Sequence, residues 1–266
     1  MSVLDALDER YRVILCDIWG CVHDGVNLYP GAAERLLQWR DQGRTVILIT
    51  NAPRTADAVE AQLERIGLPR VAWNGIATSG EAGIAALLEL GAPVGFIGTL
   101  SDREILEGRG VQITAEGFSD LACTGLDGDR CDPAQYLDEL RDLARRGVRM
   151  HCLNPDRVVI RGGVPEACAG ALADLYEGMD GVVEWYGKPH GTIYLHALHL
   201  AGDPSPSAVL AIGDSLQTDV LGAARMGFDC VFVAGGIHAG EPFPPQFGPQ
   251  NGLGEWQPVA IVDSLG

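Results

Sequence analysis

The stretch Arg12-Val13-Ile14-Leu15-Cys16-Asp17-Ile18-Trp19-Gly20 decides how the chain is read. Residues 12–16 form a short, mostly apolar run that predicts a buried strand, and the run ends on a carboxylate. An acid at the tip of a buried strand loses hydration, so it needs a metal or a lysine to pair with. A second run, residues 208–219, reads A-V-L-A-I-G-D-S-L-Q-T-D. It predicts another strand, a glycine, and then Asp214 and Asp219 flanking the start of a helix. Between the two runs, residues 45–49 (T-V-I-L-I) predict a strand that ends at Thr50-Asn51.

Outward from these runs, apolar segments alternate with segments of helical period. Helices are predicted over 32–42, 55–66, 79–90, 133–146, 165–176, 192–200 and 216–226. Further strands are predicted at 94–97, 111–113, 120–124, 149–153, 157–160, 182–186, 230–233 and 260–262. Such alternation argues for a parallel sheet covered by helices on both faces. The predicted class is α/β, a doubly wound parallel sheet of Rossmann-like type with an inserted α/β cap domain. Residues 1–78 and 183–266 are assigned to the core, and 79–182 to the cap. In such sheets ligands gather at the carboxyl ends of the strands, where Asp17, Thr50-Asn51 and Gly213-Asp214 stand. Gly162-Gly163 and Gly235-Gly236 are read as turns, residues 242–249 as a Pro-rich loop, and His238 as isolated.

Composition narrows the function. The 266 residues are 47% hydrophobic and 21% charged, which is globular rather than disordered. Asp and Glu number 36 against 19 Lys and Arg, for a net charge of −17. A field of that sign repels phosphate backbones and anionic headgroups, so neither nucleic acid nor membrane is expected as a partner. No apolar run approaches the ~20 residues of a membrane span, and the N-terminal residues lack the pattern of a secretory signal. The seven cysteines include no C-x-x-C pair. Free thiols in a reducing cytosol are expected, and with them a cytoplasmic location. No dinucleotide fingerprint, P-loop or G-x-S-x-G elbow occurs.

Asp17, Asp214 and Asp219 gathered at neighbouring strand ends would repel one another unless a cation neutralised them. Hard oxygen ligands with room for water suit Mg²⁺, although Asp214 and Asp219 also serve as helix caps in a plainer reading. Thr50-Asn51, at a strand end before a helix, offers a hydroxyl and backbone N–H groups for an anion, or simply a cap. Lys188, between Gly187 and Pro189, is placed to neutralise a carboxylate and a phosphoryl oxygen, or is a turn lysine.

Four motifs in this order (Asp17-x-x-Gly20, Thr50-Asn51, Gly187-Lys188-Pro189 and Gly213-Asp214-Ser215-x-x-x-Asp219) resemble those of the haloacid dehalogenase superfamily. The Thr218-Asp219 form and the Asn154-Pro155-Asp156 tripeptide resemble its class IIA branch of NagD-like and p-nitrophenylphosphatase-like phosphatases. The resemblance implies Mg²⁺-dependent hydrolysis of a small phosphorylated metabolite through an aspartyl-phosphate. Asp17 would be the nucleophile, with Thr50 and Lys188 gripping the phosphoryl group. Asp17, Asp214 and the backbone carbonyl of Trp19 would bind the metal, and Asp219 would hold metal-bound water. Asn51 joins Thr50 at the substrate, and Asn154 and Asp156 would face the leaving group. Caps of this branch often form homodimers.

The sequence departs from that pattern at Trp19. Phosphatases of the superfamily carry there a second aspartate that protonates the leaving oxygen. An indole offers only an N–H donor and transfers no proton at neutral pH. General acid help is worth ~10²–10⁴-fold. The residues therefore leave three readings open. One is a phosphatase with a relocated donor, such as His23, Asp24 or His190, or with substrates that need none. The others are a different aspartate-nucleophile hydrolase and a non-catalytic binder of a phosphate ligand.

Overall fold

The computed structural model describes residues 3–161, 164–235 and 243–266. Gly162, Gly163, Gly236, His238 and the start of the Pro-rich loop at Pro242 lie outside the described residues. The strands are β1 (Val13–Asp17), β2 (Thr45–Thr50), β3 (Gly75–Thr78), β4 (Gly95–Ile97), β5 (Asp120–Cys123), β6 (Arg149–Cys152), β7 (Val158–Arg161), β8 (Val164–Ala167), β9 (Val182–Trp185), β10 (Val209–Gly213), β11 (Asp229–Val233) and β12 (Ala260–Val262). The helices are α1 (Ala32–Asp41), α2 (Ala56–Arg65), α3 (Ser79–Glu89), α4 (Leu100–Gly108), α5 (Leu137–Arg145), α6 (Ala169–Glu177), α7 (Gly191–Leu200), α8 (Leu221–Arg225) and α9 (Phe247–Gln250).

Two compact units form. The first holds residues 1–50, 56–77 and 188–266, and the second 51–55 and 78–187. The first unit is built on a six-stranded sheet in the order β12-β11-β10-β1-β2-β3. β1 pairs in parallel with β10 on one side and β2 on the other. Both β1 and β10 are buried at every residue, as expected of central strands covered on both faces. From β1 the chain winds outward through β2 and β3, and from β10 outward through β11 and β12. The direction of winding reverses between β1 and β10, which opens a crevice at their carboxyl ends. One face is packed by Leu15, Ile47, Ile193, Tyr194, Phe228 and Phe232.

The second unit has a four-stranded parallel sheet, β4-β5-β6-β9, and an antiparallel hairpin of β7 and β8. Tyr136, Leu140, Leu172 and Tyr176 cluster on the α5–α6 side, while Ile84, Leu87 and Leu106 cluster on the α3–α4 side. His151 of β6 spans that sheet: Nδ1 meets the Tyr186 hydroxyl at 2.7 Å and Nε2 the Asp120 carboxylate at 2.9 Å.

Several expectations are corrected. β9, expected in the core from residue 183, pairs with β6, so the division falls at Gly187–Lys188. β3 has no counterpart among the predicted strands. Residues 165–167 form β8 rather than the start of a helix; Cys168 occupies the N-cap of α6. Residues 111–113 contribute an isolated bridge from Ile113 to Val94 instead of a strand. The start of the helix after β10 is wound as a π segment, Leu216–Val220.

Candidate active site

Asp17 is the last residue of β1, aligned with Ile49 of β2, and is buried. The parallel register puts Thr50 at the end of the adjacent strand and Gly213 at the end of the strand on the other side, with Asp214 next in the chain. Lys188 opens the last segment of this unit. Its Nζ donates to Asp17 Oδ1 and, at 2.7 Å, to Asp219 Oδ1; all three side chains are buried. The other oxygen of Asp219 accepts from the Ser215 N–H at 3.2 Å. The Tyr194 hydroxyl of α7 reaches the carbonyls of Thr218 and Asp219, both at 3.3 Å, and steadies the π segment.

Glycines make this packing possible. A Cβ on Gly20 would lie 1.9 Å from Asp214 Oδ2, and Gly20 has φ +87°. A Cβ on Gly213 would lie 2.1 Å from that of Asp219.

The electrostatics follow from burial. Loss of water pushes the Asp17 carboxyl well above its ordinary range, with the Asp219 carboxylate adding and Lys188 opposing. Burial would lower the Lys188 ammonium, but Asp17 and Asp219 outweigh it and hold it charged. Lys188 supplies one positive charge to the two buried carboxylates it bonds, Asp17 and Asp219.

Ligand atoms of Asp17, Cys21 and Asp214 lie within 4.8 Å of one another. Burial raises the Cys21 thiol well above its usual value, so it stays protonated and offers no thiolate. What remains is a pair of hard carboxylate oxygens, a donor set that fits Mg²⁺ better than a thiolate-seeking ion. Asp219 stands outside this group.

The loop after β1 folds on its own polar groups. His23 is buried, and its Nδ1 accepts from the Gly25 N–H at 2.8 Å. Burial lowers its pKa, which leaves it neutral at pH 7. Asp24 Oδ1 accepts from the N–H groups of Val26 at 2.9 Å and Asn27 at 2.7 Å. Trp19 is 53% exposed. Its ring meets His23 edge-on, with centroids 5.5 Å apart.

The remaining sequence-predicted residues, Asn51, Asn154 and Asp156, belong to the second unit and bond one another there. Asn51 Nδ2 donates to Asp156 Oδ1 at 2.8 Å, and the Asp156 N–H donates to Asn154 Oδ1 at 3.1 Å. Cys21, Tyr194 and the His23–Gly25 bond were not anticipated; none carries a periodic or spaced signal.

A family model described as haloacid dehalogenase-like hydrolase matches residues 14–112, and a second, HAD-hydrolase-like, matches 185–265. A solved haloacid dehalogenase-like hydrolase from Brucella suis 1330 is 32% identical, covering 99% of this chain and 98% of its own, with a TM-score of 0.84. The chain belongs to the haloacid dehalogenase-like hydrolases. The ribonucleotide monophosphatase NagD of Escherichia coli K12 is 27% identical over 243 residues, 84% of this chain and 88% of that protein. The 5'-nucleotidase YutF of Bacillus subtilis 168 is 26% identical over 234 residues, 86% and 89% of the two chains. These curated relatives are phosphatases. Among the described residues, no helix is long and apolar enough to cross a membrane.

Proposed function

We propose that the protein is a Mg²⁺-dependent phosphatase of small phosphomonoesters. The observation that carries this reading is the buried Asp17 carboxylate, bonded to Lys188 and grouped with Asp214 at the reversal point of the sheet. Asp17 and Asp214 would hold the ion, with the Trp19 carbonyl, and Asp219 would hold its water. Bound Mg²⁺ would supply positive charge to the phosphoryl oxygens as the ester bond breaks. An Asp17 carboxylate oxygen attacks phosphorus, the bond to the leaving oxygen breaks, and water then releases phosphate and regenerates the carboxylate. The Lys188 ammonium keeps Asp17 in place and opposes the rise of its pKa, and with Thr50 grips the transferring oxygens. Asn51, Asn154 and Asp156 are proposed as the substrate contacts of the second unit.

The test is phosphate release with Mg²⁺ from aryl, acyl, sugar and nucleotide phosphates, for wild type and Asp17→Asn. Release by wild type that vanishes in the variant is expected. Silence of both on every substrate would reject catalysis and favour a binder that keeps the anion site.

A further inference from the structure

A leaving oxygen departs most easily with a proton, and the loop beside the nucleophile supplies no acid for it. Of the side chains between β1 and Asn27 that are able to carry one, the Cys21 thiol is buried, His23 is buried and ties down Gly25, and Asp24 caps the N–H groups of Val26 and Asn27. Lys188 is committed to Asp17 and Asp219. What the loop presents instead is an indole, two residues beyond the nucleophile.

That indole is held rather than loose. A Cβ on Gly25 would lie 2.4 Å from Trp19 Cη2, so the ring rests directly on the Gly25 backbone. Gly25 has φ +98°, which an L side chain rarely adopts, so the seat is kept clear on both counts. His23 meets the ring edge-on at an interplanar angle of 76°. Fixed on these sides, Trp19 still leaves 53% of its surface open. A large aromatic face fixed before binding is a stacking surface whose ordering cost is already met.

We infer that Trp19 selects the leaving group, and that the substrates are aryl phosphates: esters whose oxygen is weakly basic and whose ring stacks on the indole. The inference rests on the phosphatase reading and specifies its substrate class. A phenoxide leaves without prior protonation, so the missing acid costs little, while an alkoxide bears the full penalty. In the reaction, Asp17 Oδ forms a bond to phosphorus, the P–O(aryl) bond breaks with its electron pair, and the phenoxide takes its proton from water.

The experiment separates ring from leaving-group basicity, using phosphate release with Mg²⁺. Four probes are compared: substituted phenyl phosphates, benzyl phosphate (a ring on a strongly basic oxygen), acetyl phosphate (weakly basic, no ring) and glycerol phosphate (neither). Phenyl phosphates should turn over fastest, with kcat rising steeply as the phenol becomes more acidic. Benzyl and glycerol phosphates should be ~10²–10⁴-fold slower. Acetyl phosphate should keep a high kcat with a KM raised about three- to tenfold, the worth of a ring contact. Trp19→Leu, which keeps the backbone carbonyl at position 19, should raise KM for phenyl phosphates by the same factor and raise that for acetyl phosphate less. Trp19→Phe should recover most of the loss, and Trp19→Asp should speed benzyl phosphate. Benzyl phosphate within tenfold of phenyl phosphate in kcat would overturn the inference. So would an unchanged KM for phenyl phosphates in Trp19→Leu, or an equal rise for acetyl phosphate. Absence of release from every probe, acetyl phosphate included, would overturn the phosphatase reading itself.

Discussion

Lys188 and Asp17 stand 171 residues apart in sequence and are bonded directly. The contact joins the first strand of the core to the segment by which the chain returns to it. Because Lys188 also bonds Asp219 at 2.7 Å, one ammonium bridges the end of β1 and the π segment beyond β10. Its charge is what allows two carboxylates to share a buried site.

Removing that charge should therefore be costly to the fold as well as to catalysis. Lys188→Met leaves Asp17 and Asp219 buried without their counter-ion, and breaking a buried pair from one side costs about 3–5 kcal/mol. Urea denaturation is the measurement. A loss below about 1 kcal/mol would show that the lysine is not the neutralising group. Phosphate release should fall below detection in the same variant.

Gly20 and Gly43 provide a matched comparison. Both have positive φ, +87° and +78°, but a Cβ on Gly20 would strike Asp214 while one on Gly43 meets nothing within 4 Å. Gly43→Ala should cost only the backbone strain, about 1–2 kcal/mol. Gly20→Ala should lose more and also weaken Mg²⁺ binding, because the Asp214 carboxylate must move. Equal losses in denaturation with equal Mg²⁺ affinity would mean that Asp214 yields without consequence.

The contrast between these glycines shows what the sequence makes legible. Central strands announce themselves: β1 and β10 are apolar runs because both of their faces are covered. The edge strand β3, Gly75-Ile76-Ala77-Thr78, is too short and too poor in branched residues to stand out. Residues 165–167 are ambiguous in sequence, since Pro165 suits a first helical turn and also fits a hairpin strand. At the site, Asp17, Lys188, Asp214 and Asp219 are legible by chemical type and by their place after strands. Which carboxylate Lys188 would meet is not, since that depends on winding across 171 residues. The seating of Trp19 on Gly25 is equally hidden, because a loop has no periodicity to read.

If Asp17 and Asp214 are the ion's ligands, Mg²⁺ should stabilise the folded chain by mass action, by about 2.7 kcal/mol at a hundredfold excess over Kd. Thermal melts of wild type should rise with Mg²⁺, and those of Asp214→Asn should not. An equal rise in the variant would place the ion elsewhere. Because the readout is the melting temperature, the result does not depend on turnover.

His23 should leave a mark on the pH dependence of stability. Burial holds its folded-state pKa below the ordinary 6.5, so in that window the unfolded chain binds more protons than the folded one. Stability therefore falls as pH drops from about 6.5 toward the folded value, and levels off below it. One such group contributes at most about 1.4 kcal/mol per pH unit. The informative quantity is a difference between two proteins. His23→Gln keeps a side chain able to accept from the Gly25 N–H but does not titrate. Its denaturation free energy should fall less steeply between pH 6.5 and 5 than that of wild type. Parallel slopes would mean that His23 takes up its proton in the folded chain as readily as in the unfolded one, and that burial is not holding it neutral.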